Sequence, residues 1–171
     1  GVSIETMCLI VYPKMKPKET TVYSMKFNRK SVRQQSYLTD ERFPYFIIYR
    51  DEQFDNVADK LQFDMFSVFR DRQITKSITC HKQDGSSLWV IKARNINDDG
   101  QGVTHISDYD VYLPKEKAVG LSAYRYVNDY SVYLTPNMTY NPRVIENLPG
   151  TIADGSVAVL IPKKPMRLTK R

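Results

Sequence analysis

The apolar positions of this chain alternate along most of its length and take up helical spacing in only one stretch. Residues 4–12 and 20–27 are β-branched and aromatic runs, separated by a segment containing Pro13 and Pro17, whose missing N–H groups cannot continue a ladder. Residues 28–43 are polar and poorly periodic, which reads as a loop or an irregular edge strand. Pro44 then opens the most hydrophobic strand, 44–50. Further strands are expected over 74–81, 87–94, 103–113, 130–135 and 156–161.

The exception to alternation is the segment of about 51–71. Phe54, Val57, Ala58, Leu61, Met65, Val68 and Phe69 fall at the three- and four-residue spacing that lays side chains along one stripe of a helix. Asp51 offers an acceptor for the first free amides. Glu52 and Asp55 suit the positive end of the helix, and Arg70 and Arg72 the negative end. A second, shorter helix is the reading for about 115–127, with Pro114 in its first turn and Val119, Ala123 and Tyr126 facing inward. Residues 136–155 are punctuated by proline, asparagine and glycine and read as a long connection.

These elements predict an α+β, strand-rich fold: a single domain with a mainly antiparallel sheet covered by one long helix. Within it, Leu88, Val90 and Lys92 share one strand face, and Trp89, Ile91 and Ala93 share the other. Both faces are apolar near their start, so this strand is expected at the centre of a sheet.

With 171 residues, 42% of them hydrophobic, the chain can bury roughly two-thirds of its unfolded surface without metals or disulfides. The globular domain is expected over 1–162, followed by a basic tail over 163–171. Its two cysteines, Cys8 and Cys80, lie in apolar or β-branched runs without metal-ligand spacing, which points to buried thiols in a reducing compartment. That favours an intracellular location, nuclear or cytoplasmic. No apolar run approaches the ~20 residues of a membrane span, and no signal-peptide pattern is read at Gly1.

Charge adds a polarity to this picture. The net charge is +6. Residues 1–94 carry 16 Lys and Arg against 11 Asp and Glu; residues 95–162 carry 4 against 8; residues 163–171 carry five cations and no acid. Such a distribution suits a protein with one anion-facing side.

Candidate chemistry is sparse. Lys82-Gln83-Asp84-Gly85 is similar in spelling to the K-x-D-G pattern around the nucleotide-bearing lysine of ATP-dependent nucleic-acid ligases. The chain has no Glu-Gly pair, however, and "LIPKKP" lacks the K-x-K alternation that puts two lysines on one face. Asp84-Gly85 therefore reads as a hairpin turn. "NDDGQG" leads into a strand and not a helix N-terminus, so it reads as a second hairpin turn and not a phosphate loop. Asp98 and Asp99 lack calcium-loop spacing. Cys80 and His81 are strand neighbours that point to opposite faces, and His105 is followed by Asp108 and Asp110 without a nucleophile motif. No catalytic residue, metal site or cofactor is assigned, and the enzyme reading is disfavoured.

What remains is charge interleaved with aromatic rings. "YSMKFNRKSVRQQSY" sets Lys26, Arg29, Lys30 and Arg33 among Tyr23, Phe27 and Tyr37. Single-strand binders use this mixture, cations for the phosphates and rings for the bases. Strand alternation would separate Lys26 and Asn28 from Tyr23, Met25 and Phe27, which is also a pattern for a buried aromatic face. Lys92 and Arg94 beside Trp89 offer a second surface, and Lys163 and Lys164 open the basic tail. The expected function is non-enzymatic binding of nucleic acid or another polyanion. The rival is a structural or assembly module, of virion or phage type, that recognises protein or itself; the 12 tyrosines suit that as well.

Overall fold

The structure is a computed structural model that describes residues 8, 10, 18–43 and 51–167. The strands expected over 4–12 and 44–50 lie wholly or largely outside the described residues. The chain forms two compact units, Gly1–Phe63 and Asp64–Arg171. Each is described by itself.

In the first unit, β1 (Glu19–Ser24) and β2 (Arg29–Gln34) form an antiparallel ribbon with Glu19 opposite Gln34 and Ser24 opposite Arg29. The turn Met25–Asn28 closes it. Asn28 takes a left-handed φ of 46°, which its short polar side chain tolerates. The ladder ends where Gln35 N donates to Lys18 O at 2.9 Å, and a single helical turn, α1 (Gln35–Leu38), follows. The polar segment 28–43 is thus the second arm of a hairpin and a helical turn, closer to the edge-strand reading than to a loop.

The next helix, α2 (Glu52–Ala58), starts as expected: the Asp51 carboxylate accepts from Phe54 N at 2.7 Å. The Phe43 ring packs on Phe63 at 5.0 Å and on Phe54 at 5.8 Å, and Leu38 and Ala58 are also buried.

The long helix expected over about 51–71 is not formed. α2 stops after seven residues, and Lys60 N and Leu61 N turn back to Val57 O and Ala58 O, three residues earlier. Asp64 adopts φ 59°, which no right-handed helix accommodates. Phe66–Arg70 is a strand, β3. The apolar positions at helical spacing serve two different elements, and ladder hydrogen bonds replace those a helix would supply. Propensity and spacing yield to tertiary pairing. Among the described residues the fold is mixed and strand-rich: nine strands, and three α-helices of which one reaches seven residues.

The second unit is built around β4 (Ser87–Ile91), which lies between β5 (Val111–Pro114), antiparallel, and β8 (Thr151–Ala153), parallel. A second sheet has the order β3, β9 (Val157–Pro162), β6 (Tyr133–Pro136), β7 (Ile145–Glu146), all antiparallel. The expectation of a central β4, apolar on both faces, is met. Leu88 and Val90 pack with Leu113, Ile152, Ala118, Ala123 and Val127; Ile91 packs with Leu134, Ile145, Val157 and Val159 of the other sheet and with Val132 just before β6.

Several expected elements are shorter than their patterns. The segment 74–81 is not a strand: the Asp71 carboxylate accepts from Gln73 N and Ile74 N, a turn follows, and only Cys80 bridges to Tyr112. The segment 103–113 becomes a strand only at Val111, because Asp108 is left-handed (φ 59°) and the Asp110 carboxylate accepts from Ile106 N. The helix expected over 115–127 divides into α3 (Lys115–Ala118) and a 3-10 turn (Ser122–Tyr126) around an extended Leu121. Val119, expected inside, is exposed. The connection 136–155 holds β7 and β8.

The turn at Asp84 is real, with its carboxylate accepting from Ser86 N at 2.9 Å, but it is not a hairpin. Tyr112 of β5 stands between Cys80 and Trp89 of β4. The 97–102 turn does close a hairpin, with Ile96 bridging Val103. The start of the basic tail is held down: Lys163 N donates to Met65 O at 2.9 Å, and Tyr133 Oη donates to Met166 O at 2.8 Å. No helix among the described residues is long and apolar enough to cross a membrane.

Candidate nucleic-acid interface

Two-residue periodicity decides what the ribbon presents. Cross-strand partners share a face, so Glu19, Thr21 and Tyr23 lie with Gln34, Val32 and Lys30, and all six are exposed. The other face carries Thr20, Val22 and Ser24 with Arg33, Ser31 and Arg29. There the two arginines are exposed, whereas Ser24 is buried. Cations therefore occupy both faces.

The aromatic rings are not core. Tyr23 is 58% exposed, Phe27 62% and Met25 86%. The alternation argument fails because the strand ends at Ser24, so Met25, Lys26 and Phe27 belong to the turn and not to opposite strand faces. Tyr23 Oη donates to Asn28 Oδ1 at 2.8 Å, and Lys26 Nζ lies 5.4 Å from the Phe27 ring centre. Between Thr20 and Thr39 there are four cations, Lys26, Arg29, Lys30 and Arg33, and no acidic residue. Arg29, Lys30 and Arg33 form no ion pair with any described residue.

Tyr37 is placed differently. It is half-buried, its hydroxyl donates to Asp55 Oδ2 at 2.7 Å, and the Arg33 guanidinium sits 5.7 Å from its ring centre. Its ring anchors the base of the ribbon.

Lys92 and Arg94 belong to the second unit and converge on a residue not singled out from the sequence, Tyr109. Lys92 Nζ donates to Tyr109 O and lies 3.6 Å from its ring centre; Arg94 lies 4.8 Å from the same ring. Burial pushes the Lys92 ammonium below its ordinary pKa, against the pull of Asp154 and Asp110. Burial likewise raises that of Tyr109. Lys92 is a stapled cation.

Around it the loop is organised by Asn95, which is fully buried. Asn95 Oδ1 accepts from Lys92 N, and Nδ2 donates to Thr104 O and to Asp110 Oδ1, the latter at 2.7 Å. His105 Nδ1 donates to Asp110 Oδ2 at 2.7 Å, and His81 Nδ1 donates to the Asp110 carbonyl at 2.9 Å. Burial would raise the Asp110 carboxyl, but the hydrogen bonds from Asn95, His105 and Ile106 N outweigh it and hold it below the ordinary range. Trp89, expected beside Lys92 as a surface ring, is half-buried and stacked on His105 at 3.7 Å.

Nearby, an open groove of about 610 Å³ is lined by Arg94 and Arg143 but also by Asp98 and Asp99. Arg143 pairs with Asp98 at 3.2 Å, so the groove is electrically mixed. Lys163 pairs with Asp64, whereas Lys164 is exposed.

The structure thus brings Lys26, Arg29, Lys30, Arg33 and Tyr37 together on one ribbon and its base. Lys92, Arg94, Lys163 and Lys164 are at other places in the second unit. Both cysteines are exposed, contrary to the expectation of buried thiols. No group of three His, Cys, Asp or Glu side chains able to hold a metal exists among the described residues. No protein-family model, curated protein or solved structure matches this chain.

Proposed function

We propose that the protein binds nucleic acid through the β1–β2 ribbon and acts by binding, not by catalysis. One observation carries this reading: twenty residues hold four cations and no acid, and among them Tyr23, Met25 and Phe27 stand in solvent. Arg29, Lys30 and Arg33, exposed and without an ion pair to any described residue, attract the phosphate backbone, and the exposed rings on the same ribbon give bases a surface to stack on. Lys164 is an accessory phosphate contact at most. Lys92 is left out of the proposed contact set because its ammonium is bonded to Tyr109 O, and Arg94, exposed beside the same ring, is an accessory contact at most.

The test is fluorescence anisotropy with single- and double-stranded DNA and RNA at two salt concentrations. Binding should weaken steeply with salt, at a log-log slope of about −0.7 per phosphate contact on single strands. Absence of binding at low salt would sink the reading.

The second reading is an assembly module that recognises protein or another copy of the chain. It is favoured by Met138 and Tyr140, 82% and 104% exposed after β6, and by Val68, 60% exposed on the edge strand β3. It requires association that depends on concentration and survives high salt, measured by sedimentation.

A further inference from the structure

Resting on the nucleic-acid reading of the ribbon, we infer that its ligand is single-stranded and that Tyr23 and Phe27, not Tyr37, are the base-stacking platforms. Tyr23 is fixed as a platform before any ligand arrives. Its hydroxyl is held by Asn28 across the turn, and its cross-strand partner is Lys30, so ring and ammonium share one face. A pinned ring loses little rotamer freedom when a base stacks on it. Phe27 sits at the turn with Lys26 beside its ring. Two exposed rings on one short ribbon that also carries Arg29, Lys30 and Arg33 suit a flexible strand whose bases are unstacked.

The chemistry disfavours a duplex. Phe27 has no polar atom to read a base edge, and the Tyr23 hydroxyl and Asn28 amide oxygen are spent on each other. What these residues offer is π-surface, which a duplex keeps inside its stack and a single strand exposes. Tyr37 is removed from the set because its ring is half-buried, whereas Tyr23 and Phe27 are exposed.

The experiment measures anisotropy of labelled DNA and RNA oligonucleotides, single-stranded and as duplexes of equal length, with the full chain. The single strand should bind at least about tenfold tighter than the duplex. Tyr23→Ala with Phe27→Ala should weaken single-strand binding by about tenfold or more, leaving the salt slope and the thermal melt in place. Phe27→Leu, which keeps an apolar side chain but no ring, should lose affinity; Tyr23→Phe, which keeps the ring and loses only its pin to Asn28, should weaken binding by about threefold or less, and Tyr37→Phe should keep it. Duplex preference, or affinity unchanged in the double variant, overturns this inference while leaving nucleic-acid binding intact. Loss of all binding in the wild-type chain overturns the underlying reading instead.

Discussion

The chain contains two cation-aromatic arrangements of similar composition and opposite character. On the ribbon, Lys26 lies over Phe27 and Arg33 over Tyr37, in a stretch with no acid. In the second unit, Lys92 and Arg94 lie over Tyr109, in a loop that holds Asp110 and close enough to Asp154 to feel its charge. The difference lies in how the positive charge is satisfied. Lys92 is partly desolvated and bonded to a backbone carbonyl, so it holds the chain to itself. The ribbon's arginines face solvent and leave their field to a ligand. Composition alone does not separate a staple from a contact surface; burial and neighbouring acids do.

The sharpest way to break this comparison is charge reversal on the ribbon. Arg29→Glu, Lys30→Glu and Arg33→Glu together should lower nucleic-acid affinity by about a hundredfold or more and flatten its salt dependence. The fold should survive, since all three side chains are exposed and none pairs with an acid among the described residues. Circular dichroism and anisotropy on the same sample check both halves. Unchanged affinity would reduce the ribbon to a solvated surface.

The opposite intervention belongs in the staple. Asn95→Ala should destabilise the second unit by about 2–4 kcal/mol, because it leaves Lys92 N and the Asp110 carboxylate short of partners inside the fold. Urea unfolding measures the loss. Affinity for nucleic acid should be unaffected under conditions where the variant is folded. A binding defect without a stability defect would mean that the two arrangements have been assigned the wrong way round.

How much of this was readable beforehand depends on how local each signal is. The Asp51 cap and the two apolar faces of β4 were legible, because a cap needs three residues and a strand face needs five. The division of the 51–71 stripe was not, because Phe66–Arg70 owes its conformation to β9, about ninety residues further along. The cations of the ribbon were legible as a cluster. The exposure of Tyr23 and Phe27 was not, since it turns on where the strand gives way to the turn at Met25. Nor was the staple, because Tyr109 is seventeen residues from Lys92, and nothing in the intervening sequence marks it as a partner.

A smaller effect sharpens the contrast. Lys92→Met keeps the length and apolar stem of the side chain and removes only the ammonium. Binding should stay within about twofold of wild type, since a charge held against Tyr109 O contributes little to an external phosphate. Stability should change by about 1 kcal/mol or less, because the hydrogen bond lost is offset by the desolvation no longer incurred. A tenfold loss of affinity would place Lys92 among the contacts after all.

The smallest expected effect is the response to acid, and it belongs to the second unit. Asp110 has a folded pKa below the ordinary 3.8, because hydrogen bonds from Asn95, His105 and Ile106 N more than offset its burial. A depressed carboxylate contributes stability that is fully present above the unfolded value and is lost as the pH falls through the folded one. The stability difference between wild type and Asp110→Asn, taken from urea unfolding, should therefore be largest near pH 5 and shrink towards pH 3 and below. Using the difference cancels the other carboxylates, which titrate in both proteins. The ribbon carries no carboxylate or histidine between residues 20 and 39, its one acid being Glu19 at the first position of β1. A difference that grew as the pH fell would mean that Asp110 is held by its protonated form and that the hydrogen bonds around it run the other way.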